Sequence, residues 1–292
     1  MTTIDSAIPM ETAVSRIDDT QRLASAIASV TAAQSRPARP TALSASLTLG
    51  WRAMLKLKHV PTQLVDATMF PVLMTLMFTY VFGGALAGSV TEYLQQLIPG
   101  MIVLIVAMSS SNTALGLSTD ISKGIFDRFR SLPFWRPAVL VGALLGDMAR
   151  YTITALIVVL LGLVLGFRPE AGLGGILLSL GVVLLFAFSL SWVWTAVGLL
   201  MDDPESVMMV SQLVSFPLLF ISNVFVNPAT MPQFLQKFVN INPISLTATA
   251  VRGLIHGNVT AVQIAAMLLS SALLVVIFAP LTMVLYNNKN RA

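Results

Sequence analysis

The sequence predicts an all-α integral membrane protein of six transmembrane helices, with an N-terminal interfacial amphipathic helix and extracellular re-entrant helices. Three observations predict it. Of 292 residues, 56% are hydrophobic and only 10% are charged, whereas soluble domains carry roughly a quarter of their residues as charges. So few charges cannot coat a surface in water. Runs free of Asp, Glu, Lys and Arg cover 67–91, 93–119, 171–201, 206–236 and 253–288. Each matches or exceeds the roughly 20 residues that cross the hydrocarbon core, where a central Lys or Arg costs about 3 kcal/mol. Finally, the basic residues gather on one side of the spans that these runs define.

Residues 1–41 are rich in Ala, Ser and Thr, mix both charges and end in a basic, proline-broken stretch, Ser35-Arg36-Pro37-Ala38-Arg39-Pro40. No apolar run of about 7–15 residues follows a basic start, as a secretory signal requires. A disordered cytosolic tail is expected. Over 42–60, Leu43, Leu47, Trp51, Met54 and Leu55 recur at helical spacing, with Arg52, Lys56 and Lys58 mostly on the other side. That pattern suits a helix lying in the membrane interface; packing on the cytosolic side of the protein is the alternative.

The remainder, 61–292, holds the six-helix transmembrane domain, with spans at 64–86, 97–117, 139–167, 173–201, 207–226 and 262–286. The weak alternation of a membrane β-barrel is absent. With both termini in the cytosol, all of the 17 basic residues except Arg168, Lys237 and Arg252 fall inside. The positive-inside bias thereby sets the orientation and accounts for the net charge of +4 without nucleic acid.

Two connections are not ordinary loops. The cytosolic one, 119–137, reads TDISKGIFDRFRSLPFWRP. Ile121, Ile125, Phe129 and Leu132 share one helical face, and Asp120, Lys123, Asp127 and Arg130 lie off it. The extracellular one, 227–258, is too polar and proline-broken to span once, yet too apolar to run free. Short re-entrant helices fit it, provided that protein covers their backbone.

Chemistry-bearing motifs are sparse. The absence of cysteine excludes disulfides, thiol nucleophiles and thiolate metal sites. His59 and His256 are too far apart in sequence to suggest a metal site. There is no G-x-x-x-x-G-K-[ST] loop, no G-x-S-x-G elbow and no H-E-x-x-H helix. Catalytic and metal-ligating residues are therefore not assigned. Gly172, Gly174 and Gly175 read as turn residues, and Asp202, Asp203, Pro204 and Glu205 as a helix start with Asp203 as cap and Pro204 first in the helix.

Ionisable groups within spans are the default functional candidates. Asp147 and Arg150 are three apart on the third span, so they share a face and form a gating or structural ion pair. Asp66, Asn112 and Asn223 are candidates for a substrate pathway. His256 is expected to be a solvated loop residue. The pairs Gly84–Gly88, Gly142–Gly146 and Gly162–Gly166 would permit close helix approach.

The chain resembles the permease subunits of ABC-2 type exporters, and within them the daunorubicin/doxorubicin-resistance permeases. The likeness lies in Trp51-Arg52-Ala53-Met54-Leu55-Lys56, FTYVFGGALAG from Phe78, DISKGIFDRFRSLPFWRPAVLVGALLGDMAR from Asp120, and FPLLFISNVFVNPATMPQFLQ from Phe216. Asn242-Pro243-Ile244-Ser245 and Ala250-Val251-Arg252-Gly253-Leu254 complete it, so that it spans about 37–290. The resemblance implies a homodimer of six-span permease subunits in the bacterial plasma membrane, paired with two separate ATPase subunits that carry the ATP and Mg. It implies that 119–137 docks on the ATPase, through Ile121, Lys123, Ile125, Asp127, Arg128, Phe129 and Arg130, and that a hydrophobic, anthracycline-like drug is exported. An exporter of lipid-linked glycan or lipid would share this architecture. An ion-coupled carrier should show mid-span carboxylates and inverted repeats, and beyond Asp147 the sequence shows neither.

Overall fold

The computed structural model describes residues 21–25, 41, 44, 48, 50–51, 61–83, 89–123, 138–201, 203–225 and 228–289. Contacts divide the chain into a unit Met1–Pro40, described only as a helical segment at 21–25, and a unit Thr41–Ala292. The rest of the expected tail lies outside the described residues. Of the expected interfacial helix, Ser44, Thr48, Gly50 and Trp51 are described; all four are helical, and Trp51 is exposed.

The larger unit is helical wherever regular structure is described. Helix α1, Pro61–Met77, continues into a π-helical turn at Phe78–Phe82. Then come α2 (Val90–Ser122), α3 (Ala138–Leu165), α4 (Gly172–Leu200) and α5 (Pro204–Phe220). A 3-10 turn at Pro228–Thr230 leads to α6 (Gln233–Ile241), α7 (Pro243–His256) and α8 (Ala261–Lys289).

The caps explain several of these boundaries. Ser89 accepts from the Glu92 backbone N–H at 3.2 Å, and Glu92 sits in the first turn of α2, where a carboxylate meets the positive end of the helix. Asp203 accepts from the Ser206 N–H at 2.8 Å with Pro204 next in the chain, as the sequence leads one to expect. That backbone donor holds the Asp203 carboxyl below its usual pKa. Helix α7 ends at Gly257, whose φ of +72° is the left-handed geometry that a glycine adopts without steric cost.

Among the described residues four helices, Val90–Ser122, Leu140–Leu165, Gly172–Leu200 and Ala261–Asn288, are long and apolar enough to cross a membrane. Helices α1 and α5 occupy the places of the first and fifth expected spans but are shorter. The fifth was expected to run to 226; α5 stops at Phe220, because the chain turns away at Ile221 (φ −87°, ψ 51°).

Helix α2 is the centre of the bundle. Leu94, Leu97, Ile98, Met101 and Ile105 are fully buried there beneath α3, α4, α5 and α7. Helix α8 packs on α4 and α7 and leaves an apolar outer face of Leu269, Leu273, Val276 and Val284. The α2–α4 contact rests on Gly198: a Cβ there would lie 2.7 Å from the Ala114 carbonyl oxygen. Of the glycine pairs read from sequence, Gly142 and Gly146 are both buried on α3, and Gly162 abuts Ile98. Gly166 serves a turn instead, at φ +110°. Residues 84–88 lie outside the described residues.

Candidate functional site

Two polar networks stand out inside this apolar bundle. In the first, Asp147 and Arg150 lie one turn apart on α3, and Arg150 Nη2 reaches Asp147 Oδ1 at 2.9 Å. The same guanidinium nitrogen donates to the Ser109 carbonyl oxygen of α2 at 3.3 Å. Thr113, also on α2, donates its hydroxyl to Asp147 Oδ2 at 2.6 Å. Since that hydrogen is committed, Tyr151 must donate to Thr113 Oγ1 across their 2.8 Å contact. Ser191 on α4 lies 3.1 Å from the Tyr151 oxygen.

The hydroxyl donors of Tyr151 and Thr113 thus point in series toward one carboxylate, an arrangement in which each bond polarises the next. Tyr151 and Ser191 are completely buried, and Arg150 and Asp147 are 13% and 20% exposed. A second tie joins α4 to α2: Trp194 Nε1 donates to Ser110 Oγ at 2.8 Å, and Ser110 donates on to the Ala107 carbonyl. Both carboxylate oxygens of Asp147 are occupied from within the chain. The network clamps α2, α3 and α4 rather than presenting a reactive group. Among the described residues no group of three His, Cys, Asp or Glu is placed to hold a metal.

The second network closes the end of α5. A helix that stops inside a bundle leaves carbonyls without intrahelical partners. Asn242 Nδ2 donates to the Leu218 and Ile221 oxygens, both at 2.7 Å, and Ser222 Oγ to Leu219 O. Arg252 Nη2 donates to Asn223 O at 3.2 Å. The other end of the Asn242 amide is used as well: its Oδ1 accepts from the Ile244 N–H at 2.9 Å and caps α7. One side chain thus closes α5 and opens α7.

Asn223 is 7% exposed; its amide donates to Thr249 Oγ1 at 2.7 Å and its backbone N–H to Ser245 Oγ at 3.2 Å. Burial pulls the Arg252 pKa down. No Asp or Glu occurs anywhere in 206–292; the acceptor this guanidinium meets is a backbone carbonyl, Asn223 O, just beyond the end of α5.

The described residues place the candidates in different parts of the fold. Asp66 lies on α1, Asn112 is exposed on α2, and Asn223 is buried beneath α7; no hydrogen bond joins them into one cluster. Ile121 belongs to the last turn of α2 and packs on the cluster of Leu117, Leu140, Leu199 and Tyr286. It is half-buried there, against its own subunit. Lys123 is exposed just beyond it. Ile125, Asp127, Arg128, Phe129 and Arg130 lie outside the described residues.

His256, expected to be a solvated loop residue, is instead the last residue of α7, 16% exposed, with Nε2 3.1 Å from the Gln95 carbonyl oxygen and Nδ1 3.7 Å from Glu170. Thr113, Tyr151 and Ser191 carried no motif in the sequence. Asn242 did, since Asn before Pro is a helix-start signature.

Asn242 supplies a direct test. Asn242→Ala orphans two carbonyls and one N–H, and each unsatisfied buried group costs about 1–3 kcal/mol. Asn242→Asp keeps the α7 cap but sets a carboxylate against the negative end of α5. Thermal unfolding of the purified protein should show Asp to be no better than Ala. If Asp restores wild-type stability, the donation to α5 is unimportant.

Comparison with known proteins adds what geometry does not. The family model described as ABC-2 type transporter matches residues 45–256. The chain is 48% identical over 281 residues, 96% of its length and 99% of the relative's, to the daunorubicin resistance ABC transporter permease protein DrrB1 of Streptomyces coeruleorubidus. It is 29% identical to the probable doxorubicin resistance ABC transporter permease protein DrrC of Mycobacterium tuberculosis, covering 66% of this chain and 70% of that one. A putative transport permease, ycf38, of Cyanophora paradoxa is 24% identical, with 69% and 70% covered. A helical bundle in which four of the described helices are long and apolar enough to cross a membrane, and a family match over most of the chain, lead to one assignment: this protein belongs to the ABC-2 type transporter family.

Proposed function

We propose that this chain is the membrane-spanning permease subunit of an ABC exporter that moves a hydrophobic, anthracycline-like drug out of the cell. The observation that carries this reading is the 48% identity, over nearly the whole of both chains, to a daunorubicin resistance permease. The chain is the non-ATPase part of the complex. It has no P-loop. ATP and Mg belong to a separate ATPase subunit.

In this reading α1 and α5 complete six spans with α2, α3, α4 and α8, and the two termini face the cytosol of a bacterial plasma membrane. Two copies pair as a homodimer. The segment 119–137 receives the ATPase through residues after Lys123, with Ile125 and Phe129 as anchors and Asp127, Arg128 and Arg130 around them. Residues 227–258 form the re-entrant outer segment. Asp66 and Asn112 line the substrate path, and Asn223 supports its outer end. ATP-driven closure of the ATPases shifts the helices between inward and outward arrangements, a change in population biased from the cytosol. The Asp147–Arg150 clamp keeps α2, α3 and α4 moving as one block.

The test is doxorubicin accumulation, read by its fluorescence, in cells expressing the permease with and without the ATPase subunit. Several-fold lower retained drug is expected only when both are present. Equal retention in the two strains rejects the drug-exporter reading. For orientation, a periplasm-active reporter fused after Ala292 should be silent, and strong activity would reverse the topology.

A further inference from the structure

Helix α6 carries a face that the fold does not use. Around its axis, Leu235 and Val239 turn inward, and Val239 is buried. Gln233, Lys237 and Asn240 form an exposed polar arc. Between the two lies a third arc, Phe234, Phe238 and Ile241, exposed at 63%, 65% and 77%. Large apolar side chains so uncovered, three of them within nine residues, mark a contact with something other than water. Gln233, Phe234, Lys237, Phe238 and Ile241 together line an open hollow at the surface.

The charge beside this stripe identifies what fills it. Lys237 is exposed, and no acidic residue occurs in 206–292. Among the described residues Lys237 forms no ion pair. A cation with an apolar face next to it, on a short helix in a chain whose described residues include four helices long and apolar enough to cross a membrane, has the composition of a helix lying in the membrane interface. The apolar arc then sits among acyl chains, and the ammonium sits at the depth of the lipid phosphates.

We propose that α6 lies in the plane of the membrane at that end of the bundle and binds an anionic phospholipid, with its phosphate on Lys237 and its acyl chains against Phe234, Phe238 and Ile241. This holds whichever substrate the protein carries. A basic residue at an anionic lipid surface contributes about 1 kcal/mol, a factor of about five in affinity.

Because the chain contains no cysteine, the test is direct. The full-length protein with Phe238→Cys carries a nitroxide label and is reconstituted in vesicles of phosphatidylcholine with phosphatidylglycerol. Its spectrum should respond strongly to oxygen and weakly to a water-soluble nickel chelate. In parallel, phosphatidylglycerol retained through purification is measured by mass spectrometry. Lys237→Gln should retain about fivefold less than the wild type, and Lys237→Arg about as much. Strong relaxation by nickel overturns the proposal, because the face would then be in water. Protection from both reagents with disulfide-linked pairs of the unlabelled Phe238→Cys protein overturns it in favour of a second copy. Equal lipid retention by wild type and Lys237→Gln overturns the assignment of the phosphate to Lys237.

Discussion

Asp147→Asn is expected to cost about 3 kcal/mol and to remove most of the folded, monodisperse protein. Breaking a buried ion pair from one side costs about 3–5 kcal/mol, because the partner charge is left without compensation. The lower end applies here, since Asp147 retains 20% exposure. Native stabilities of about 5–15 kcal/mol make this a large fraction. A charge swap, Asp147→Arg with Arg150→Asp, should recover only part. The surroundings are polarised: Thr113 donates toward position 147, and the Ser109 carbonyl accepts from position 150. The apolar pair Asp147→Leu with Arg150→Met should recover more than the swap, as well-packed hydrophobes often match a buried ion pair. Yield from size-exclusion chromatography and thermal unfolding in detergent would measure the series. If Asp147→Asn matches the wild type, the pair is solvated and clamps nothing. If the apolar pair folds but no longer exports drug, the pair has a role in gating beyond stability.

Phe129→Ala is expected to leave the permease folded and inserted while abolishing ATP-dependent drug efflux. Truncating an aromatic anchor at an interface centre costs about 2 kcal/mol or more, roughly a 30-fold loss of affinity for the ATPase subunit. Ile125→Ser should act in the same direction, since an amphipathic helix docks through anchors three or four residues apart. Arg130→Ala should change little, because an exposed ion pair contributes about 0–1 kcal/mol. The packing of Ile121 adds a contrast: Ile121→Ser should lower stability as well as any ATPase binding, for it is half-buried against the cluster of Leu117, Leu140, Leu199 and Tyr286. Co-purification of the ATPase with each variant, beside drug accumulation, separates these outcomes. Wild-type ATPase binding and efflux by Phe129→Ala would end the coupling assignment.

The sequence by itself determined the class of the molecule and most of its helices. Apolar runs bounded by charges located the third, fourth and last helices to within about three residues, because burial in lipid selects on composition along a single helix. Asp203 and Pro204 marked the start of α5, since a cap is a local device. The spacing of Asp147 and Arg150 on α3 was legible for the same reason.

Contacts between distant segments were decided only by the tertiary structure. Thr113, Tyr151 and Ser191 are ordinary hydroxyl residues on three helices until packing brings them to one carboxylate. Gly198 belongs to no spaced glycine pair, yet it is the position where α4 meets the α2 backbone. Nor did the apolar run at 207–226 reveal that α5 would stop at Phe220. That break is supported by Asn242, more than 20 residues further along the chain, which donates to the Leu218 and Ile221 carbonyls, and by Arg252, which donates to the Asn223 carbonyl just beyond. Hydropathy records which residues avoid water; it does not record which distant donor satisfies a carbonyl, and that pairing decides where a helix inside a membrane bundle can end.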